Sequence, residues 1–116
     1  MQRAFRLTNR ASFTYIRRNG KALVCPILVI GFVKAYNIKV GISVSKKIGN
    51  SVVRSLVKRR IREAFRLLLP ELKGTFNYVV TAREPIAGCD YHTIDRALRK
   101  LLTGAGHLDA PDCSRQ

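Results

Sequence analysis

The chain has no tryptophan, a single methionine, and only seven acidic residues to set against twenty-two lysines and arginines. The acid deficit leaves a formal net charge of +15, and self-repulsion of that size makes polyanions the natural partners. Three cysteines, an odd number, exclude a disulfide framework and fit a reducing cytosol. No apolar run approaches the ~20 residues of a membrane span and no signal peptide is visible, so a cytoplasmic protein without membrane contact is expected. No Ser/His/Asp constellation and no paired carboxylates on one element are present, so no protein catalytic centre is expected. Cys89-x-x-His92, with His107 and Cys113 downstream, fits no common zinc-site spacing. The chain can nonetheless build a core: 116 residues that are 47% apolar suit one domain rather than a disordered basic tail.

Charge concentrates in one stretch. From Lys46 to Arg66 the sequence is KKIGNSVVRSLVKRRIREAFR, in which eight of twenty-one residues are Lys or Arg and only Glu63 opposes them. Gly49-Asn50-Ser51 supplies a turn and an N-cap for a helix running to about Leu69, where Pro70 follows. At 100° per residue Val53, Val57, Ile61, Ala64 and Leu68 share one face. Arg54, Lys58, Arg59, Arg62 and Arg66 spread over an opposing arc of roughly 140°. Lys46 and Lys47 precede an N-terminus whose free N–H groups already favour anions. A solvated charged face is the ordinary explanation of a charge run. A one-signed run costs stability through i,i+4 repulsion unless a polyanion offsets it, which points to nucleic acid. A membrane-surface helix would set bulkier apolar residues opposite its cations.

The remaining elements follow from period and punctuation. Met1–Arg6 is expected to be an extended arm. Thr8 or Asn9 caps a short helix ending near Asn19-Gly20, with Gly20 suited to the left-handed position after a helix. Phe13 and Ile16 share a face of that helix. Leu23–Val33 is a near-continuous apolar run, expected as one strand, with Pro26 at an edge or bulge. In Ile38–Ser45, Ile38, Val40, Ile42 and Val44 alternate with Lys39, Gly41, Ser43 and Ser45, giving one buried face and one small, polar, open face. Phe76–Ala82 is a third strand, and a helix starts at Asp90 or Thr93 and runs through about Leu102. Residues 1–103 form one domain, and 104–116 turn to small and polar residues and are expected to be a disordered tail. The order αββαβα predicts an α+β two-layer α/β sandwich. A parallel pairing of the third strand would by the general rule close a right-handed crossover.

The segment Val40-Gly-Ile-Ser-Val-Ser-Lys-Lys-Ile-Gly-Asn-Ser-Val-Val-Arg54, with Lys58-Arg59-Arg60-Ile61-Arg62-Glu63 after it, resembles the signature of the bacterial ribonuclease P protein subunit. Arg6-Leu7, Phe13-x-x-Ile16-x-Arg18-x-Gly20-Lys21 and Val79-Val80-x-Ala82-Arg83 agree in order and spacing, so the similarity spans about residues 3–103. The resemblance implies a ribosomal protein S5 domain 2-like fold with a left-handed crossover. It implies the protein component of an endoribonuclease that removes the 5′ leader from precursor tRNA, with catalysis by an RNA subunit and its bound Mg²⁺. Ribonuclease P RNA and precursor tRNA are the partners it implies, and no obligate protein partner is evident.

Carried over by position, Lys46, Lys47, Asn50, Arg54, Lys58, Arg59 and Arg62 are expected to contact the RNA subunit, while Arg60 at a variable position only adds charge. Phe13, Ile16, Arg17, Ser43 and Ser45 are expected to line the leader cleft between the first helix and the sheet. Two departures stand out. Ser55 replaces the usual Asn after Arg54, and Gly31 stands where the family commonly places a cleft aromatic, removing one stacking platform. A ribosomal or general single-strand RNA-binding module shares the basic charge but not the GN turn joined to R-x-x-x-KR. A DNA-binding helix module shares the helix but not the open polar sheet face.

Overall fold

A computed structural model describes residues 10–108, with side chains from Phe13 onward. The expected arm over Met1–Arg6 and the cap at Thr8 or Asn9 lie outside the described residues, as do residues 109–116. The elements in chain order are α1 (Arg10–Asn19), β1 (Lys21–Val24), β2 (Leu28–Lys34), β3 (Lys39–Ser43), α2 (Ser51–Leu68), β4 (Phe76–Ala82) and α3 (Tyr91–Gly104), with short 3-10 turns at Lys46–Ile48, Leu69–Glu71 and Glu84–Gly88. The four strands stand in the order β1-β2-β4-β3. β1 and β4 each run antiparallel to β2, whereas β3 pairs parallel with β4 through the crossover that contains α2.

The apolar run Leu23–Val33 is a hairpin, not one strand. Pro26 lacks the N–H a ladder needs, so the chain turns there, and the Cys25 N–H donates to the Leu28 carbonyl at 3.0 Å. The turn converts one continuous run into an edge strand and a central strand in register from Lys21 opposite Phe32 to Val24 opposite Val29.

One sheet face carries the main core. Leu28, Ile30, Phe32, Val40, Tyr78, Val80 and Ala82 pack there against Val57, Ile61, Ala64, Phe65 and Leu68 of α2 and Ile94, Leu98 and Leu102 of α3. Phe65 was not on the apolar face read from the sequence, yet it is fully buried with its ring 5.3 Å from that of Tyr78. Burying such a side chain is worth roughly 1.5–3 kcal/mol, enough to turn this part of the helix inward despite its cationic neighbours. The opposite sheet face presents Val29, Gly31 and Val33 of β2 beside Asn77, Val79 and Thr81 of β4 and Lys39, Gly41 and Ser43 of β3. Across part of it lies α1, whose Ile16 is 2% exposed and forms a second, small core with Val79, Phe13 and Val33.

Two expectations at the chain's turns are corrected. Gly20 does not take a left-handed backbone; it is required because a Cβ there would stand 2.4 Å from the Phe32 carbonyl oxygen and 2.6 Å from that of Ile16. The domain does not stop at residue 103, because α3 runs to Gly104 and the chain folds back at Gly106 (φ 84°). His107 and Leu108 are then buried. His107 Nδ1 and the Tyr78 hydroxyl hydrogen-bond at 2.7 Å, and the His107 ring stacks on Phe76 at 4.3 Å. The main chain of His107 joins the fold too, its N–H donating to the Leu102 carbonyl and its carbonyl accepting from the Lys73 N–H at 2.8 Å. A few polar letters around one histidine and one leucine hid a closing strap of the core.

Candidate nucleic-acid interface

The entry to α2 is built by the residues Lys46–Ser51. β3 ends at Ser43, and Lys46–Ile48 makes a single 3-10 turn that buries Ile48 and leaves Lys46 and Lys47 exposed. Gly49 must lack a side chain, since a Cβ would lie 3.0 Å from Val53. Asn50 then caps the helix, its side-chain oxygen accepting from the Val53 N–H at 3.0 Å. Asn50 therefore shapes the helix start with its carbonyl oxygen, and only its amide N–H₂ remains for another partner.

Along α2, Lys58 and Arg59 are exposed and Arg62 is half-exposed, so these three of the expected RNA-contact residues stand on one accessible face. Ser55 is exposed on the same face. Arg54 differs. It sits at the shoulder between the buried stripe and the cations, and its Nε is closed off from solvent without a hydrogen-bond partner in the protein. Arg66 is committed to Glu63 one turn earlier, and that hydrogen bond holds the Glu63 carboxyl below its ordinary range. Arg60, expected only to add charge, points away from the cationic face. Its Nη1 donates to the Cys89 carbonyl at 2.7 Å, tying α2 to the loop before α3.

The cleft expected between α1 and the open sheet face is present as a recess of about 120 Å³ bounded by Ile16, Arg17, Lys21, Val29, Val79 and Thr81. Arg17 spans its mouth, with Nη2 donating to Ser43 Oγ at 3.2 Å. Phe13 is half-buried against Ile16 and Val79. Ile16, placed in the cleft from sequence, offers almost no free surface: it is floor rather than lining. Gly31 also lines the recess, and a Cβ there would meet the Ile16 methyl at 3.4 Å, an ordinary contact, so the glycine leaves this part of the cleft open and without a ring. Ser45 is the clearer correction. It follows the end of β3, where the strand's alternation stops, and lines a separate recess of about 380 Å³ with Lys47, Arg83 and Pro26.

The family model described as Ribonuclease P matches residues 1–106. The ribonuclease P protein component of Clostridium beijerinckii is 40% identical over 112 residues, covering 88% of this chain and 89% of the relative. That of a Thermoanaerobacter species (strain X514) is 41% identical over 93 residues, covering 78% and 79% respectively. The solved structure of the Staphylococcus aureus ribonuclease P protein superposes with a TM-score of 0.83 at 29% identity, covering 92% of this chain and all of that one. The Thermotoga maritima protein gives 0.78 at 30% identity, with 85% and 96% covered.

The chain belongs to the ribonuclease P protein family.

Proteins of this family are the protein component of the ribonucleoprotein that processes tRNA, and the partner this implies is the ribonuclease P RNA. In this ribonuclease P protein, Lys46 and Lys47 on the approach to α2, Asn50 at its cap and Lys58, Arg59 and Arg62 along it are all at least partly exposed. Thr81, Val29 and Arg83 were missed as site residues. The signal for the first was available: in FNYVVTA the period of two that sends Tyr78, Val80 and Ala82 inward sends Val79 and Thr81 to the cleft. Arg83 stands at the carboxyl end of the parallel strand pair, a position visible only once β3 and β4 are neighbours.

Proposed function

We propose that the chain docks the ribonuclease P RNA on the cationic face of α2 and holds the 5′ leader of precursor tRNA in the cleft beneath α1, within an endoribonuclease whose chemistry the RNA performs. The observation that carries this is the one-signed face of Lys58, Arg59 and Arg62, which opens at the Gly49–Asn50 cap and has no acid beyond Glu63. Phosphates meet these side chains and the exposed Lys46 and Lys47, which positions the RNA without reading its bases. Arg17, Ser43, Phe13 and Thr81 give the leader a polar mouth and an apolar wall. With Gly31 carrying no side chain, the leader gains no aromatic platform there, so its sugar-phosphate chain is held more strongly than any particular base.

Mg²⁺ in this proposal is held mainly by the RNA, where it supplies charge stabilisation at the scissile phosphate. Among the described residues no three His, Cys, Asp or Glu side chains come together as a metal site. Four of the five described carboxylates have partners within the protein, Glu63 with Arg66, Asp95 and Glu71 with Arg99, and Asp90 with the Thr93 N–H at the start of α3. Among the described residues no helix is long and apolar enough to cross a membrane, and a cytoplasmic site of action is part of the proposal. Reconstitution tests it: the chain is added to a ribonuclease P RNA at low Mg²⁺ and leader cleavage is followed. Faster cleavage or a lower Mg²⁺ requirement is expected, and no change in either defeats the proposal. In the same assay Phe13→Ala should weaken precursor tRNA binding more than mature tRNA binding, whereas equal losses would reduce Phe13 to core packing.

A further inference from the structure

The end of the sheet away from the α2 cap holds a second, larger recess. It measures about 570 Å³ and lies between the last turn of α1, the edge strand β1 and the strap that follows α3. That volume falls within the roughly 300–1,000 Å³ of small-molecule and cofactor sites. Its walls are aromatic and aliphatic, with Phe32, Phe76, His107 and Leu23 meeting there, and its charged rim is Lys21 and Lys34. No carboxylate lines it, and both lysines are exposed. The wall is fixed before any ligand arrives, because Phe76 stacks on the buried His107 and the buried Phe32 meets both edge-on at 5.6 and 4.5 Å, which leaves Phe76 as the ring with free surface. Gly20 keeps the α1 end open for the recess by lying directly on the β2 backbone.

The surroundings point the same way. The β2–β3 turn at this end carries Tyr36, which is 98% exposed, a phenol ring presented to solvent two residues beyond Lys34. The turn is fastened to the base of β4, with the Ala35 N–H donating to the Thr75 carbonyl and Thr75 Oγ1 donating back to the Ala35 carbonyl at 2.6 Å. An exposed aromatic on an anchored turn beside lysines is the pairing by which single-stranded nucleic acid is bound, bases stacking and phosphates neutralised. A lipid tail would use the apolar wall but neither the ring geometry nor Tyr36. An acidic peptide would use the lysines alone.

We propose that this recess takes one unpaired nucleotide of an RNA strand, the base against the partly exposed Phe76 and Leu23 and the flanking phosphates on Lys21 and Lys34, with Tyr36 stacking an adjoining base. The site is apart from the α2 face and meets the α1 cleft only along Gly20, Lys21 and Ala22, which line both, so it lets the protein grip RNA at two ends of the sheet. Only the choice of RNA over another nucleic acid rests on the function proposed above.

The test uses the full chain, isotope-labelled, titrated with tetrauridylate while backbone amides are followed by NMR. Saturable shifts at Phe32, Phe76 and His107, which line this recess and not the α1 cleft, are expected, with at least a threefold loss of affinity in Lys34→Ala. Lys34→Glu should weaken binding more than Lys34→Ala, and Lys34 is exposed, so the fold survives either change. Shifts confined to Phe13, Gly31 and Val79 would assign the strand to the α1 cleft and overturn the inference. So would affinity unaltered by the lysine variants. A chain that fails to stimulate ribonuclease P RNA while these resonances still respond would refute the proposed function and uphold the recess; the reverse pattern would overturn the recess alone.

Discussion

Replacing Arg54 by methionine should make the free protein more stable and the RNA complex weaker. The cause is the position of one atom. Arg54 Nε is shut away from solvent with no acceptor in the protein, while the rest of the side chain is half-exposed. A buried donor without a partner costs ~1–3 kcal/mol, and methionine keeps most of the stem's packing without that donor. Removing the charge also relieves repulsion from Lys58 one turn on, worth a few tenths of a kcal/mol. Because water still reaches the terminal nitrogens, the net gain is set at about 0.5–1 kcal/mol, or an upward melting shift of about 3–6 °C for a domain of this size. Binding to ribonuclease P RNA should fall by roughly tenfold or more, since a charge-assisted hydrogen bond is lost. The slope of log K against log salt should shrink by about 0.7–0.9. Thermal melts and salt-dependent binding titrations on the same preparations measure both, with Lys58→Met as the comparison: exposed, near-neutral in stability, and equally reduced in slope. A melting point that falls in Arg54→Met, or a salt slope that stays put, refutes the idea that Arg54 is held short of a partner that RNA supplies.

Adjacent arginines on α2 should part company. Arg59→Ala lowers the salt slope of RNA binding and leaves stability within about 0.5 kcal/mol, whereas Arg60→Ala loses its bond to the Cys89 carbonyl, destabilises by about 1–2 kcal/mol in denaturant titrations and leaves the slope unchanged. Gly20→Ala should cost more than about 2 kcal/mol, because its Cβ collides with two backbone oxygens that cannot swing aside, and calorimetry would show the loss directly. Burial pushes the His107 imidazole below its ordinary value of 6.5, so on acidification the unfolded chain takes up this proton before the folded one does. The contribution is complete above about pH 6.5 and is lost as pH falls below it toward the folded value. Denaturant midpoints measured from about pH 8 to pH 5 should therefore slope less in His107→Phe than in the parent; parallel curves would refute the assignment.

The elements that could be read from the sequence are those whose signals are local. Asn50 and Asp90 are caps whose side chains reach N–H groups three residues on, and β3 and β4 alternate with the period of a half-covered strand. The cations of α2 were legible for the same reason, since side chains on one helix keep the order of the sequence. What escaped was decided by partners distant in the chain. Leu23–Val33 carries no period that tells a long strand from a hairpin, and only the pairing of β1 with β2 shows that Pro26 is a turn. Phe65 lies near Arg54 on the helical wheel and is buried because Tyr78 waits on the sheet. His107 looked like tail because the aromatic box that holds it is assembled from Phe32, Phe76 and Tyr78 on two strands. Ile16, carried into the cleft by the resemblance, does line it as its buried floor, whereas Ser45 follows the end of β3 and lines a different recess.

The strand order has a consequence for the protein before it meets RNA. The two outer strands, β1 with four residues and β3 with five, are the shortest of the sheet, and the seven-residue strands are enclosed between them. β1 carries Lys21 at one end and stops just short of Pro26 at the other, and β3 begins at Lys39. A short strand bracketed by lysine and proline offers another chain few free N–H and carbonyl groups to ladder onto, and brings like charges together if it tries. Val24, 59% exposed on β1, is thereby prevented from seeding a cross-chain sheet. Edge-to-edge pairing of copies is thus opposed by the same kind of residue that, in the proposal, meets RNA.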